Sequence, residues 1–176
     1  ATAYAITALQ TLYLSVYYRK EFYSAVLNVI NTSETEKIEE CIKAIRKSGI
    51  KLKLLDINAS KEGFYPMKDK NVITFGFRLV KFIGEKACKV LMDGQPFNSF
   101  EDFITRESVH NTSGFNIRTM NSLIKTGAFD EFEKNRNKLI KMTSLFYTAK
   151  SKLKKKTSSE LRSLYKNILL NNNEQR

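Results

Sequence analysis

The chain has 176 residues, 42% apolar and 11% aromatic, enough for one ordinary domain or two small ones with a real core, and too apolar for a disordered chain. Thirty Lys and Arg against 18 Asp and Glu leave a formal charge of +12 and a pI near 9.7, a balance that favours an acidic partner, nucleic acid before an anionic membrane surface. No run approaches the roughly 20 apolar residues of a bilayer span and no secretory signal is visible; Cys41 and Cys88 stand far apart without metal-ligand spacing and read as buried free thiols of a reducing compartment.

The chain opens on Ala1 rather than Met with the helical pattern starting at once, which points to a piece of a longer protein. From Tyr4 to Ile30 the sequence is apolar around nearly the whole helical circumference, so two helices buried on more than one side are expected, broken near "YYRKEF". Residues 34–48 form a clear amphipathic helix. Ser33 and Glu36 make a capping box, Ile38, Cys41, Ile42 and Ile45 give the apolar stripe, and Lys43, Arg46 and Lys47 suit the last turns before Gly49 closes it. Ile50, Leu52 and Leu54 alternate with lysines as a strand does, and "DINASKEG" is a loop. "FYPM" and "NVITF" pair as a small hairpin in which Pro66 requires an edge.

Helical periodicity returns at Gly76. Asn98 and Glu101 offer a second capping box, opening "SFEDFITR". "NTSG" is a loop, "NIRTMNSLIKTG" a helix ending at Gly127, and "AFDEF" a bend. From Lys134 the pattern is helical again into the lysine cluster "AKSKLKKKTSS", and a last helix covers about 158–169. The fold class is therefore mainly α: a helical bundle with a small β element, then two helix–glycine turn–helix units around Gly84 and Gly127, in divisions 1–72, 73–133 and 134–176.

A self-contained active site is not supported. There is no D-x-D, the acidic cluster Glu34, Glu36, Glu39 and Glu40 has a structural reason at a helix start, and His110 stands alone in a polar loop, without a zinc partner. No catalytic residue and no metal ligand is assigned. The turn in "VKFIGEKACKVL" is different. Ile83 and Gly84 form a tight turn, Glu85–Leu91 the second helix, and Ala87 the small residue that lets helices pack. Backbone N–H groups at such a helix start face a phosphate oxygen, with Lys81, Lys86 and Lys89 adding charge-assisted contacts. Arg118, Lys125 and Gly127 would serve the second unit, and Lys154 and Lys155 are the densest part of the C-terminal cluster. A turn used only for packing has the same spacing. Phe82 stands where a second glycine is preferred, and a phenylalanine resists positive φ.

Taken in order, "AYAITALQTLYLSVYYRKEFYSAVL", "ETEKIEECIKAIRKSGIKL", "DIN", "ITFGFRLVKFIGEKA", "PFNSFEDF" and "LIKTGAFD" resemble the fingers region and tandem helix-hairpin-helix of the bacterial C-family replicative DNA polymerases, the DNA polymerase III alpha subunits. The resemblance covers about 130 residues and is loose beyond 131. It implies that Tyr4, Gln10, Thr11, Tyr13 and Leu14 belong to a fingers helix beside the nucleotide site, and that Glu21 and Phe22 start the helix after its bend. Asp56, Ile57 and Asn58 match a loop motif, Gly76 and Gly84 the first hairpin, and Leu123, Ile124, Gly127, Ala128, Phe129 and Asp130 the second. Arg19, Leu54 and Leu55 replace expected prolines, which suggests a divergent copy of phage or other mobile-element origin.

The resemblance further implies that the catalytic aspartates and Mg2+ of the nucleotidyltransferase lie in a palm outside this chain, which is inactive alone and needs no cofactor of its own. The implied partners are DNA, the remaining polymerase chain and a sliding clamp reached through other regions, with no membrane. "QPFNSF" sits in the wrong place for a clamp motif, its aromatics being better explained by helix packing. The implied location is the cytoplasm of a bacterium, phage-infected or not. The alternative is a non-catalytic helical protein-interaction module with incidental charge.

Overall fold

The computed structural model of the chain describes residues 2–30, 34–68, 70–112, 114–151 and 157–173. In order come helices α1 (Thr2–Tyr17), α2 (Arg19–Val29) and α3 (Thr35–Lys47), then strands β1 (Lys51–Lys53), β2 (Tyr65–Pro66) and β3 (Val72–Thr74). A 3-10 turn at Phe77–Leu79 leads to α4 (Glu85–Asp93), α5 (Phe100–Ile104), α6 (Glu107–Asn111), α7 (Ile117–Lys125), α8 (Arg136–Lys150) and α9 (Ser158–Asn173). The architecture is mainly α with one small sheet, as the periodicities predict.

The sheet has the order β1-β3-β2. β2 and β3 form the expected antiparallel hairpin, Pro66 lies on an edge strand, and β1 pairs parallel to β3 with Leu52 opposite Ile73. Ile73 is wholly buried and joins Leu27, Cys41, Ile45 and Ile50 in a first core between α2, α3 and the sheet. Lys20 fastens α2 to the β2–β3 connection, its ammonium donating to the carbonyls of Met67 at 2.8 Å and Lys70 at 3.0 Å. α3 follows its sequence signals: Glu36 in the first turn, Arg46 and Lys47 in the last, and Gly49 at φ +72 closing it with an N–H donated to Arg46. Ser33, half of the expected capping box, lies outside the described residues; Glu34 holds the N-cap position and its side chain makes no capping bond.

A second, larger core joins α4–α9. Phenylalanines dominate it. The ring of Phe103 lies 4.9 Å from those of Phe97 and Phe129, and Phe100 meets Phe129 edge-on at 5.1 Å. Each such buried ring contributes about 2–3 kcal/mol by area alone. Leu139, Met142, Phe146, Leu161 and Tyr165 from α8 and α9 complete the same cluster, so the last two helices brace the unit before them.

Three expectations are corrected. α1 buries none of its residues: Tyr4, Leu9 and Tyr17 are 85%, 68% and 70% exposed, and the apolar circumference faces outward instead of into a core of this chain. The cap of α5 is shifted by one residue. Ser99 Oγ accepts from the N–H of Asp102, whose carboxylate accepts from that of Asn98, so serine and aspartate form the reciprocal pair. His110 sits in α6, not in a loop, and is buried against Phe146 with Nδ1 2.6 Å from Lys150 Nζ.

Candidate nucleic-acid interface

The segment before α4 is a tight turn held from both sides. Val80 and Ile83 are buried in the second core, and the N–H of Ile83 donates to the carbonyl of Val80 at 3.1 Å. Between them Lys81 and Phe82 point outward, Phe82 at φ +72. The phenylalanine thus adopts the left-handed conformation in which a glycine would be comfortable, and the turn keeps its shape despite the substitution. Gly84 follows in extended conformation (φ −86, ψ 175) as the N-cap of α4.

α4 opens on Gly84, which has no side chain to cap it, and no other side chain among the described residues caps it. The N–H groups of its first turn, Glu85, Lys86 and Ala87, have no acceptor within the helix, and a Cβ built on Gly84 would meet nothing within 4 Å. A bare backbone, the positive end of a helix and room for close approach make an anion site. Lys81, Lys86 and Lys89 are exposed and none has an ion-pair partner among the described residues. Glu85 is the one carboxylate in that first turn.

The start of α7 lies against this turn. Thr119, fully buried, donates from Oγ1 to the carbonyl of Gly114 at 2.7 Å and lies 3.2 Å from the carbonyl of Phe82, so one hydroxyl holds two turns together. Ala87 meets the second turn through its methyl group, 4.0 Å from a Cβ built on Gly114. Arg118, next to Thr119 in sequence, is exposed. Unlike α4, α7 is capped: Asn116 Oδ1 accepts from the N–H groups of Arg118 and Thr119 at 2.9 and 3.1 Å. Among the described residues the two helix starts therefore differ, one open and one satisfied by a side chain.

Lys81, Ile83, Gly84, Lys86 and Lys89 thus belong to one turn and the helix it opens, Ile83 as the buried anchor and the others exposed, while Arg118 is exposed on the helix that Thr119 ties to that turn. Lys125 and Gly127 belong to the opposite end of α7, roughly 9–12 Å along its axis from Thr119 at 1.5 Å per residue. Gly127, at φ +84, is buried and donates its N–H to Ile124; no helix starts there, and α8 begins at Arg136 behind its own cap, Asn135. A glycine at a helix C-terminus sits among outward carbonyls, which repel phosphate. Its missing Cβ instead makes room for Arg136, which pairs with Asp130 and donates to the carbonyl of Lys125 at 2.9 Å. Lys154 and Lys155 lie outside the described residues; Lys150, at the start of that cluster, is buried on His110.

The "DIN" loop is a fastening within the chain. Asp56 Oδ1 accepts from the N–H groups of Asn58 and Ala59 at 2.8 and 3.1 Å, and Oδ2 from Lys53. Burial pushes the Asp56 carboxyl up, but the Lys53 ammonium and those two amides outweigh it and hold it below the usual carboxylate range. Asn58 clasps Phe97 through both its amide atoms, and the N–H of Ile57 donates to Ala128. Arg106 does the same for the loop before α5. It donates to the carbonyls of Gly94 and Pro96 and pairs with Asp102, whose carboxyl that hydrogen bond lowers. Thr119, Asn116 and Arg106 are the residues that sequence reasoning does not single out. Asn116 was detectable, as a capping type just ahead of an apolar period; the other two act through distant carbonyls that no spacing reveals. The described residues contain no group of three or more His, Cys, Asp or Glu placed to hold a metal ion, and no helix among them is long and apolar enough to cross a membrane.

Comparison with known proteins agrees with this geometry. The family described as Helix-hairpin-helix motif matches residues 49–139, just over half of the chain. The chain is 35% identical over 138 residues to a DNA polymerase III subunit alpha of Thermus aquaticus and 34% identical over 134 to that of Campylobacter jejuni, in each case across 75% of this chain. It is 32% identical over 185 residues, 96% of this chain, to a probable DNA polymerase, YorL, of Bacillus subtilis. It spans only 11–14% of the length of these relatives. The chain belongs to the helix-hairpin-helix family and matches, over most of its length, one segment of DNA polymerase III alpha subunits.

Proposed function

We propose that this chain is the fingers and helix-hairpin-helix portion of a DNA-directed DNA polymerase, and that it holds the DNA backbone without reading sequence. In this reading residues 1–72 support the nucleotide-facing site, 73–133 grip phosphate, and 134–176 brace the grip and add positive charge. The carboxylates and Mg2+ of nucleotidyl transfer belong to the remaining polymerase chain, as does any contact with a sliding clamp, and the assembly works in a bacterial cytoplasm. The observation that carries the reading is the start of α4, uncapped among the described residues, behind an open Gly84, with Lys81, Lys86 and Lys89 exposed on that turn and helix and Arg118 exposed on α7.

Duplex DNA titrated at two ionic strengths tests it. Four cations on phosphates predict a loss of about a hundredfold in affinity between roughly 50 and 200 mM salt, from counterion release. Gly84→Ala should leave the unfolding midpoint nearly unchanged, because its φ suits alanine and its Cβ meets nothing, while binding falls several-fold as the methyl group blocks the phosphate. No binding at low salt, or salt-independent binding, overturns the reading in favour of a protein-interaction module.

A further inference from the structure

We propose that Phe82 is a nucleobase-stacking residue: its ring lies flat against a base of the strand whose phosphate the start of α4 holds. The inference rests on the phosphate-grip reading above and adds to it a contact with the base. Phe82 sits at the tip of the turn with φ +72, a conformation that any residue with a Cβ adopts at a free-energy cost. Its neighbour Ile83 is 7% exposed and repays its place by burial, whereas Phe82 is 53% exposed and leaves much of its ring in solvent. The fold uses the backbone of Phe82, whose carbonyl lies by Thr119 Oγ1, and glycine would supply that backbone without strain.

The surroundings of the ring specify the occupant. Lys81 Nζ lies 5.2 Å from the ring centroid, Lys86 and Lys89 are exposed on the helix that starts three residues after Phe82, and Arg118 is exposed next to the Thr119 that meets the Phe82 carbonyl, so an apolar protein surface would have to approach past cations. A polynucleotide brings the opposite charge and a flat π face together. Phe82 stands two residues from Gly84, at most about 7 Å along the chain. That matches the reach from a phosphate across one sugar to its base. Stacking of this kind tolerates any base, in keeping with a grip that does not read sequence.

The test compares two single-stranded oligonucleotides of equal length by fluorescence anisotropy at low salt: oligo-dT, and an abasic strand that keeps every sugar-phosphate but carries no base. The 176-residue chain should bind oligo-dT about tenfold more tightly than the abasic strand. Phe82→Gly should bind both with the abasic-strand affinity and unfold at the same or a higher temperature, since it relieves strain and removes little burial. Phe82→Leu, which keeps apolar bulk without a planar face, should also lose the preference, and it decides the matter if the glycine variant does not fold. Equal binding of both strands by the unsubstituted chain overturns the stacking inference while leaving the phosphate grip intact. So does a folded Phe82→Gly that keeps the preference. A lower unfolding midpoint for Phe82→Gly would make the ring a packing element and likewise overturn it. Failure to bind either strand or duplex DNA overturns the phosphate grip itself.

Discussion

At Asp56 one buried carboxylate joins β1 to the loop that carries Ile57 and Asn58 into the second core. It accepts from two backbone N–H groups and from Lys53, itself 3.2 Å from Glu131. Folding thus lowers the affinity of Asp56 for a proton, and Arg106 does the same for Asp102. A carboxyl whose folded value is below its unfolded value contributes stability that is complete above the unfolded value, near 4, and is lost as pH falls through it towards the folded one. Urea unfolding should therefore show a plateau at about pH 6–8 and a decline below about pH 4. Asp56→Ala leaves the Asn58 and Ala59 amides without their acceptor, while Lys53 keeps Glu131, and should cost about 2–3 kcal/mol at neutral pH, with a shallower acid decline. An acid decline as steep as that of the unsubstituted chain would remove Asp56 from the account.

At the scale of elements, the contrast between α4 and α7 decides which turn can act. Asn116 already satisfies the first amides of α7, whereas no side chain among the described residues accepts from those of α4. Asn116→Ala should destabilise the chain by about 1 kcal/mol, as lost N-caps do. It should not weaken DNA binding by more than about twofold, because it frees amides and removes no phosphate contact. A tenfold loss in a folded variant would instead make α7 a gripping helix. The sequence made α3 legible because its charges, apolar stripe and closing glycine all agree. It also made the α4 turn legible, since Ile83 must be buried and Gly84 bare. It misplaced the cap of α5 because Asn98 and Ser99 are both capping types one residue apart, and only the path of the chain chooses between them. At Gly127 the helix ends where the sequence puts its end, and the outward carbonyls of such an end, which a spacing does not display, set the sign of the local field.

The whole molecule shows why its apolar N-terminus misled. A helix apolar all round reads as buried, and that inference assumes the covering surface belongs to the same chain. Here the chain spans about a tenth to a seventh of its relatives' length, and α1 lies with Ile6, Leu9, Leu12 and Tyr13 more than half exposed. Such a surface exceeds what a solitary soluble domain usually shows, and in isolation it should drive self-association. Sedimentation velocity of the 176-residue chain should show concentration-dependent association. Replacing Leu9 and Leu12 by glutamine, which keeps helix propensity, should abolish it. Since neither side chain is buried, the unfolding free energy of the double variant should stay within about 0.5 kcal/mol of the unsubstituted chain. DNA affinity at low salt should also be unchanged, because α1 belongs to neither the α4 turn nor its cations. A marked loss of stability would mean that α1 folds back onto the body of this chain. Unchanged association would place the sticky surface elsewhere than on α1.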